Sequence, residues 1–316
     1  MRFVLSPVLT VSCPPHAHCG RTVKGHYLQM LVALLPAAVC AAVTFGYPAL
    51  RVMALACSVA VVTELVCARM MERPTAVDDL SGLTAGLLFA FLLPASAPWW
   101  LVAMGSAITV ALGKMIFGGL GASPICAPAL GWAVCRLSWP LHLSPDASML
   151  AFPLDDLLTN LKLLGPGSVA KASPLDLLLG NQLGGLGDIQ VWALLAGGIY
   201  LVATRWIHWA IPAAMLGGVL ASALVLKAAY PAESASPLFH LLAGGTVFGA
   251  FFLATDGSSS PSRLIPMVIF GLTAGVLLML IRFYGVYSDG VPFAILLANL
   301  IAPLCDKIRP KPFGVS

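Results

Sequence analysis

The sequence predicts an all-α polytopic membrane protein, with about ten transmembrane helices in two inverted five-helix repeats. Three observations carry this expectation. Of the 316 residues, 59% are hydrophobic and only 9% charged, whereas a soluble domain carries about 25% charged residues. So few ions cannot cover a water-facing surface, and a mean hydropathy of +0.94 suits a chain whose solvent is lipid. The apolar residues gather in runs near the length of a bilayer span. Finally, segments about 165 residues apart resemble one another.

Pro, Gly and charged residues divide the apolar runs into helices at 27–46, 49–70, 80–94, 98–117, 123–140, 188–204, 207–229, 238–254, 262–283 and 289–305. The third, eighth and tenth are short and contain Gly or Pro, so they are expected to be tilted, broken or re-entrant. The first run begins near Tyr27 and lacks a following small-residue cleavage site, so no signal peptide is expected. The implied organisation is a cytoplasmic tail (1–26), a first membrane repeat (27–140), an extracytoplasmic loop (141–187), a second repeat (188–305) and a cytoplasmic tail (306–316).

Orientation follows from Lys and Arg, which concentrate in cytoplasmic segments. With both termini inside, only Arg51, Arg136, Lys162, Lys171, Lys227 and Arg282 of the 17 cations fall outside. The long 141–187 segment then lies outside. A net charge of +4 without a basic run excludes nucleic acid as a natural partner.

The repeat pairs LSGLTAGLLFAFLLPA (80–95) with LLAGGTVFGAFFLATDG (241–257). After one intervening helix, IFGGLGASPICAPALGWAV (116–134) pairs with FYGVYSDGVPFAILLANLI (283–301). Five spans per half make the second half enter the membrane from the opposite side. In such proteins, interrupted helices at matching positions mark a site near the midplane.

Polar residues inside spans are few, and each is informative. Glu64 reads equally as half of an interfacial ion pair, with Arg69 nearby, or as a station on an ion path. Lys114 and Arg282 lie near helix ends, His208 and His240 at helix entrances, and Asn299 inside the last span. Asp256 and Asp289, in TDG and SDG, read either as turn formers or as part of an ion or flavin path. The tryptophans at 99, 100, 206 and 209 read as interfacial anchors.

Cys13, His16, His18 and Cys19 are metal-ligand types, but two adjacent prolines in a tail scaffold a site poorly; no metal is expected. The chain has no nucleophile elbow, Walker loop or dinucleotide-binding glycine fingerprint. The remaining classes are a transporter or channel and a membrane redox subunit. In the outer loop, Ser173 before Pro174 reads by composition as a turn former.

Four segments carry a resemblance: GRTVKGHYLQMLVALLPA, PWWLVAMGSAITVALGKMIFGGLG, LLAGGTVFGAFFLATD and YSDGVPFAILLANLIAPLCD. In this order they resemble the D subunits of Rnf electron-transport complexes and the related B subunits of sodium-translocating NADH:quinone reductases. The resemblance implies a multi-pass subunit of the bacterial inner membrane. It would belong to an ion-translocating ferredoxin:NAD oxidoreductase, a translocase in which this subunit is not catalytic alone. Its partners would be the other Rnf subunits, lipid, and sodium or protons.

The resemblance also implies FMN held covalently through a phosphoester, and a second, noncovalent flavin such as riboflavin. By position, Ser173 corresponds to the family's flavin-bearing threonine, with Lys171 and Pro174 beside it. The surrounding motif departs from the family: its aspartate is Gly167, and its serine and glycine are Ala170 and Lys171. After GGLG, the family's Asn-Pro-Phe-Asn-Pro-Ala run reads Ser123-Pro124-Ile125-Cys126-Ala127-Pro128-Ala129. The alternative function is an inverted-repeat transporter, channel-like or scaffold subunit that has lost the covalent flavin.

Overall fold

The computed structural model describes residues 21–72, 77–143, 155–169, 172–231 and 234–307. Cys13, His16, His18, Cys19 and Lys171 lie outside the described residues. All regular structure among the described residues is helical.

Four helices are long and apolar enough to cross a membrane: α1 (Val23–Phe45), α2 (Tyr47–Met70), α9 (Ala210–Ala229) and α12 (Leu264–Tyr284). Shorter apolar helices are α3 (Ser81–Phe91), α4 (Trp99–Met115), α8 (Val191–Ala203) and α13 (Val291–Cys305). Helix α5 (Ala127–Ser138) starts later than expected, behind Pro124, with Pro128 in its first turn. The expected helix over 238–254 is broken into α10 (Pro237–Leu242) and α11, which begins at Thr246–Phe248 and continues as π-helix to Leu253. Within the 141–187 segment, α6 (Leu157–Leu164) and α7 (Pro174–Leu179) are helical. Helix α1 begins at Val23, ahead of the expected Tyr27, because Thr22 caps it through the amide of Gly25.

The core runs through both sequence halves, with Leu34, Phe89, Phe91, Phe248, Phe252 and Phe270 fully buried. Many valines and leucines remain exposed along α1, α2 and α9. That pattern suits helices that face lipid, where an apolar surface is stable. Helices α1 and α8, one from each half, approach closely at Gly197. A Cβ there would collide with the Ala33 carbonyl, so only glycine allows this spacing.

Besides mid-bundle contacts such as Ser106 Oγ to Ala56 O (2.6 Å), two groups of hydrogen bonds lie at opposite ends of α1, which is about 34 Å long at 1.5 Å per residue. At the end carrying the 141–187 segment, the Arg51 guanidinium donates to Ala97 O (2.9 Å) and Leu186 N to Leu93 O (2.8 Å). Lys162 there donates to the carbonyls of Gly285 and Tyr287. At the end where α1 starts, Arg21 donates to Thr204 O (3.2 Å) and stacks over Trp206. Ser123 bonds Ser258 there at 2.8 Å. We call these the loop end and the tail end.

Gly197→Leu is expected to force α1 and α8 apart and to cost about 1–3 kcal/mol, the usual penalty of overpacking. A thermal melt of the purified protein in detergent checks this; an unchanged midpoint would show that the close approach carries no stability.

Candidate functional site

The break between α10 and α11 exists because Ala243 is extended and Gly244 takes φ +62°, a left-handed conformation that glycine adopts without strain. A break frees carbonyls that lipid cannot satisfy. Arg282, buried near the end of α12, meets them: its guanidinium donates to His240 O (2.7 Å) and Ala243 O (2.9 Å). It also bonds Thr246 Oγ1 (2.8 Å) and pairs with Asp289 (3.0 Å). Asp289 accepts in turn from Gly245 N–H at 2.7 Å, capping the first turn of α11. Thus Asp289 does more than form a turn, and Arg282 is buried at the break.

Next to this junction, at the loop end, a cleft of about 770 Å³ opens between α5, the 183–188 segment and the start of α13. Asp156, Asp188 and Asp289 line it, with Arg136 and Tyr287. Asp188 is 6% exposed and Asp156 4%. One oxygen of each, Asp188 Oδ1 and Asp156 Oδ2, has no hydrogen-bond partner. Asp156 caps α6 through Thr159 N. Burial raises its carboxyl above the usual aspartate range and nearby Asp289 adds to this, against the Thr159 bonds.

Ser173 caps α7, its Oγ accepting from Leu175 N at 3.2 Å, while Pro174 occupies the first helical position. Ala172 and Pro174, its two neighbours, line an apolar groove of about 700 Å³ together with Val169, Leu177 and Phe239. The groove adjoins a second one of about 940 Å³, bordered by Lys162, His240 and Arg282; both share Pro166, Ser234 and Ala235.

At the tail end, Glu64 of α2 forms a buried ion pair with Lys114 of α4. Lys114 also donates to Ser81 Oγ at 2.5 Å, at the start of α3. The last turn of α4 is π-helical, Ala111–Met115, and the wider turn holds Lys114 in the interior. The partner of Glu64 is therefore a lysine 50 positions away in sequence, and the pair is buried rather than interfacial. Asp256 accepts from the hydroxyls of Ser258 (2.7 Å) and Ser259 (3.2 Å), a local turn arrangement. It lines a cleft of about 530 Å³ with Tyr27, Lys114, Gly121 and Ser123.

Asn299 is buried in α13, and both polar atoms of its side chain lack partners. The structure thus joins Asp289 to Arg282 at the loop end and sets Glu64 and Asp256 at the tail end; it does not bring all four expected path residues together. His208 bonds the Ala210 amide. The tryptophans divide: Trp99 and Trp209 are exposed, while Trp100 packs on Trp139 and Trp206 takes the Arg21 cation. Asp156, Asp188 and Gln182 were not expected from the sequence. The only signal for Asp188 is its place after the glycine-rich GGLG stretch, directly before an apolar helix. No three His, Cys, Asp or Glu side chains among the described residues are grouped to hold a metal ion.

Residues 10–314 match the family model described as the NQR2, RnfD, RnfE family. The chain belongs to this family. It is similar to the D subunit of the Na(+)-translocating ferredoxin:NAD(+) oxidoreductase complex of Acetobacterium woodii, at 36% identity over 98% of this chain and 96% of that protein. It is 35% identical to the D subunit of the proton-translocating ferredoxin:NAD(+) oxidoreductase complex of Clostridium ljungdahlii, over 97% of this chain and 96% of the relative. The D subunit of an ion-translocating oxidoreductase complex of Sodalis glossinidius is 33% identical over 96% of this chain and 98% of its own length.

Breaking a buried pair by removing one partner costs about 3–5 kcal/mol, because the other charge is left uncompensated. Glu64→Gln and Lys114→Met are each expected to destabilise the protein on that scale, and the double substitution by much less than their sum. A double-mutant cycle on detergent melts checks this; additive losses would mean that the pair is not coupled.

Proposed function

We propose that this chain is the flavin-carrying membrane subunit of an Rnf-type ion-translocating ferredoxin:NAD oxidoreductase complex in the bacterial inner membrane. It relays electrons through FMN on Ser173 and couples this to transport of sodium or protons. The observation that carries the reading is the placement of Ser173. Its neighbours line a groove walled largely by apolar side chains, and the adjoining groove is bordered by Lys162 and Arg282. The donor set fits FMN: a hydroxyl for the phosphoester, apolar walls for the ring system, and cations within the same pair of grooves. When bound, the flavin supplies the electron chemistry, and the protein supplies placement and electrostatics. Pro174 and the cap formed by Ser173 fix where the hydroxyl stands; Phe239 and Leu177 give the groove apolar walls.

Both termini are cytoplasmic in this reading, and ten apolar segments span the membrane. The two groups of contacts support it. A chain that crosses ten times from a cytoplasmic start puts 46–51, 95–98, 141–187, 230–236 and 285–290 on the outer face, and these segments meet at the loop end. It puts 71–80, 116–126, 204–209 and 255–263 on the inner face. The inverted repeat is supported by paired buried cations: Lys114 ends α4 and bonds Ser81 at the start of α3, while Arg282 ends α12 and bonds Thr246 at the start of α11. These stand at opposite ends of the molecule.

A second, noncovalent flavin belongs to this reading without assigned residues; the tail-end cleft lined by Ser123, Ala127 and Pro128 is too small to hold one. Relatives of nearly equal identity are named for different ions, so overall similarity does not set the ion here.

The test is flavin fluorescence of the subunit on a denaturing gel, after expression with its flavin transferase. A fluorescent band that persists in Ser173→Thr and vanishes in Ser173→Ala is expected. A dark wild-type band would favour a subunit that has lost the covalent flavin.

A further inference from the structure

We propose that Lys162, His240 and Arg282 are positioning residues for the flavin ring. They form an electropositive edge that receives the N1–C2=O side of the isoalloxazine and favours its reduced, anionic form. The inference rests on the reading of Ser173 as the flavin attachment and adds to it the groups that set the flavin's electron affinity. It starts from two nitrogens without partners. Arg282 and His240 are 6% and 5% exposed, and both line the groove bordered by Lys162. Neither Arg282 Nε nor His240 Nδ1 has a hydrogen-bond partner in the protein. A buried polar nitrogen left unmet is costly, and a ligand oxygen or nitrogen beside it removes that cost.

The groove is electropositive by composition. Among the described residues its lining holds two cations, Lys162 and Arg282, with the His240 imidazole and the hydroxyls of Ser234 and Ser288, and no Asp or Glu. Asp289, the counterion of Arg282, lines the neighbouring acidic cleft instead, as do Asp156 and Asp188. Arg282 engages the carbonyls of the helix break, Thr246 and Asp289 through Nη1 and Nη2. Its Nε–H is the donor left over. Lys162 reaches the carbonyls of Gly285 and Tyr287, which leaves one of the three N–H groups of its ammonium.

Leu158, Met279 and Phe283 give the same groove apolar walls. A flat apolar ring with one polar edge matches that combination, whereas a bare phosphate makes no use of the walls. The phosphate of this reading is fixed at Ser173, whose neighbours line the adjoining groove, and the two grooves share Pro166, Ser234 and Ala235. The ring, carried beyond the phosphate, is the part that comes to the cations. Reduction adds two electrons, supplied by the electron transfer of the complex, and one proton from water. The proton goes to N5, and one negative charge remains over N1 and the C2 oxygen. Charge beside that edge is how a protein tunes a flavin. Donors from an ammonium and a guanidinium hold this anion more strongly than the neutral oxidised ring, so they raise the flavin's affinity for electrons.

The experiment uses sulfite, whose sulfur lone pair adds to N5 of an oxidised flavin and leaves the same negative charge over N1 and the C2 oxygen, with no outside electron. The purified full chain, expressed with its flavin transferase, is titrated with sulfite while the visible flavin absorbance is followed. Lys162→Met and His240→Phe are each expected to raise the sulfite dissociation constant about ten-fold or more, the scale of one charge-assisted hydrogen bond. Lys162→Arg, which keeps the cation, is expected to bind sulfite as the wild type does. His240→Phe leaves the backbone carbonyl that Arg282 holds, so it decides the matter if Lys162→Met fails to fold. A denaturing gel of the same samples separates this inference from the reading beneath it. A bright wild-type band that forms no sulfite adduct, or bright variants with an unchanged dissociation constant, would overturn the inference and leave Ser173 in place. A dark wild-type band removes the Ser173 reading and this inference together.

Discussion

The guanidinium of Arg282 replaces the hydrogen bonds that a continuous helix would have made between α10 and α11. In lipid, no water is available to take over the carbonyls of His240 and Ala243 once Gly244 turns the chain, so the break relies on the fixed fork of donors that α12 delivers and on the Thr246 hydroxyl, which donates to the same two carbonyls. Other features follow from the same junction. Asp289 must stand close enough to share the guanidinium and to cap α11, which fixes the turn before α13. Gly245 must remain small, because two carboxylates approach it. The cleft at the loop end is the space these requirements leave behind.

A comparable constraint acts at the other end, with different parts. Lys114 cannot be buried without Glu64, and the pair holds α2 and α4 together while Ser81 ties in α3. Each half thus uses one buried cation to join its short helix to its long ones. In a bundle whose lipid-facing surface provides no hydrophobic driving force, such polar joints and close glycine contacts are what select one arrangement of apolar helices over others. The same joints are natural places for ion and redox chemistry, since any change of charge near them shifts the balance they hold.

Much of this was legible in the sequence, and the reasons for the rest are physical. Apolar runs located the long helices to within a few residues, and Gly244-Gly245 inside such a run foretold the break. Asp289 stood out as an acid at a glycine turn beside an apolar helix. The pairing of Glu64 with Lys114 was hidden because the partners lie on different helices, and no local periodicity links them. Asp188 and Asp156 were hidden because an aspartate in a glycine-rich or polar segment looks like any turn residue; only burial distinguishes them. Ser173 was visible through resemblance alone, since a serine before proline is an ordinary helix cap, and the structure indeed shows it capping α7.

The proposed flavin attachment at Ser173 requires the loop end to face outward, and the proposed inverted repeat requires the tail end to face the opposite side of the membrane. Single cysteines at Ser168, at the loop end, and at Ser260, at the tail end, placed in a chain lacking the eight native cysteines, test this with a membrane-impermeant maleimide. Labelling of Ser168→Cys in intact cells, and of Ser260→Cys only after permeabilisation, is the predicted result. Labelling of both from the same side would contradict this topology.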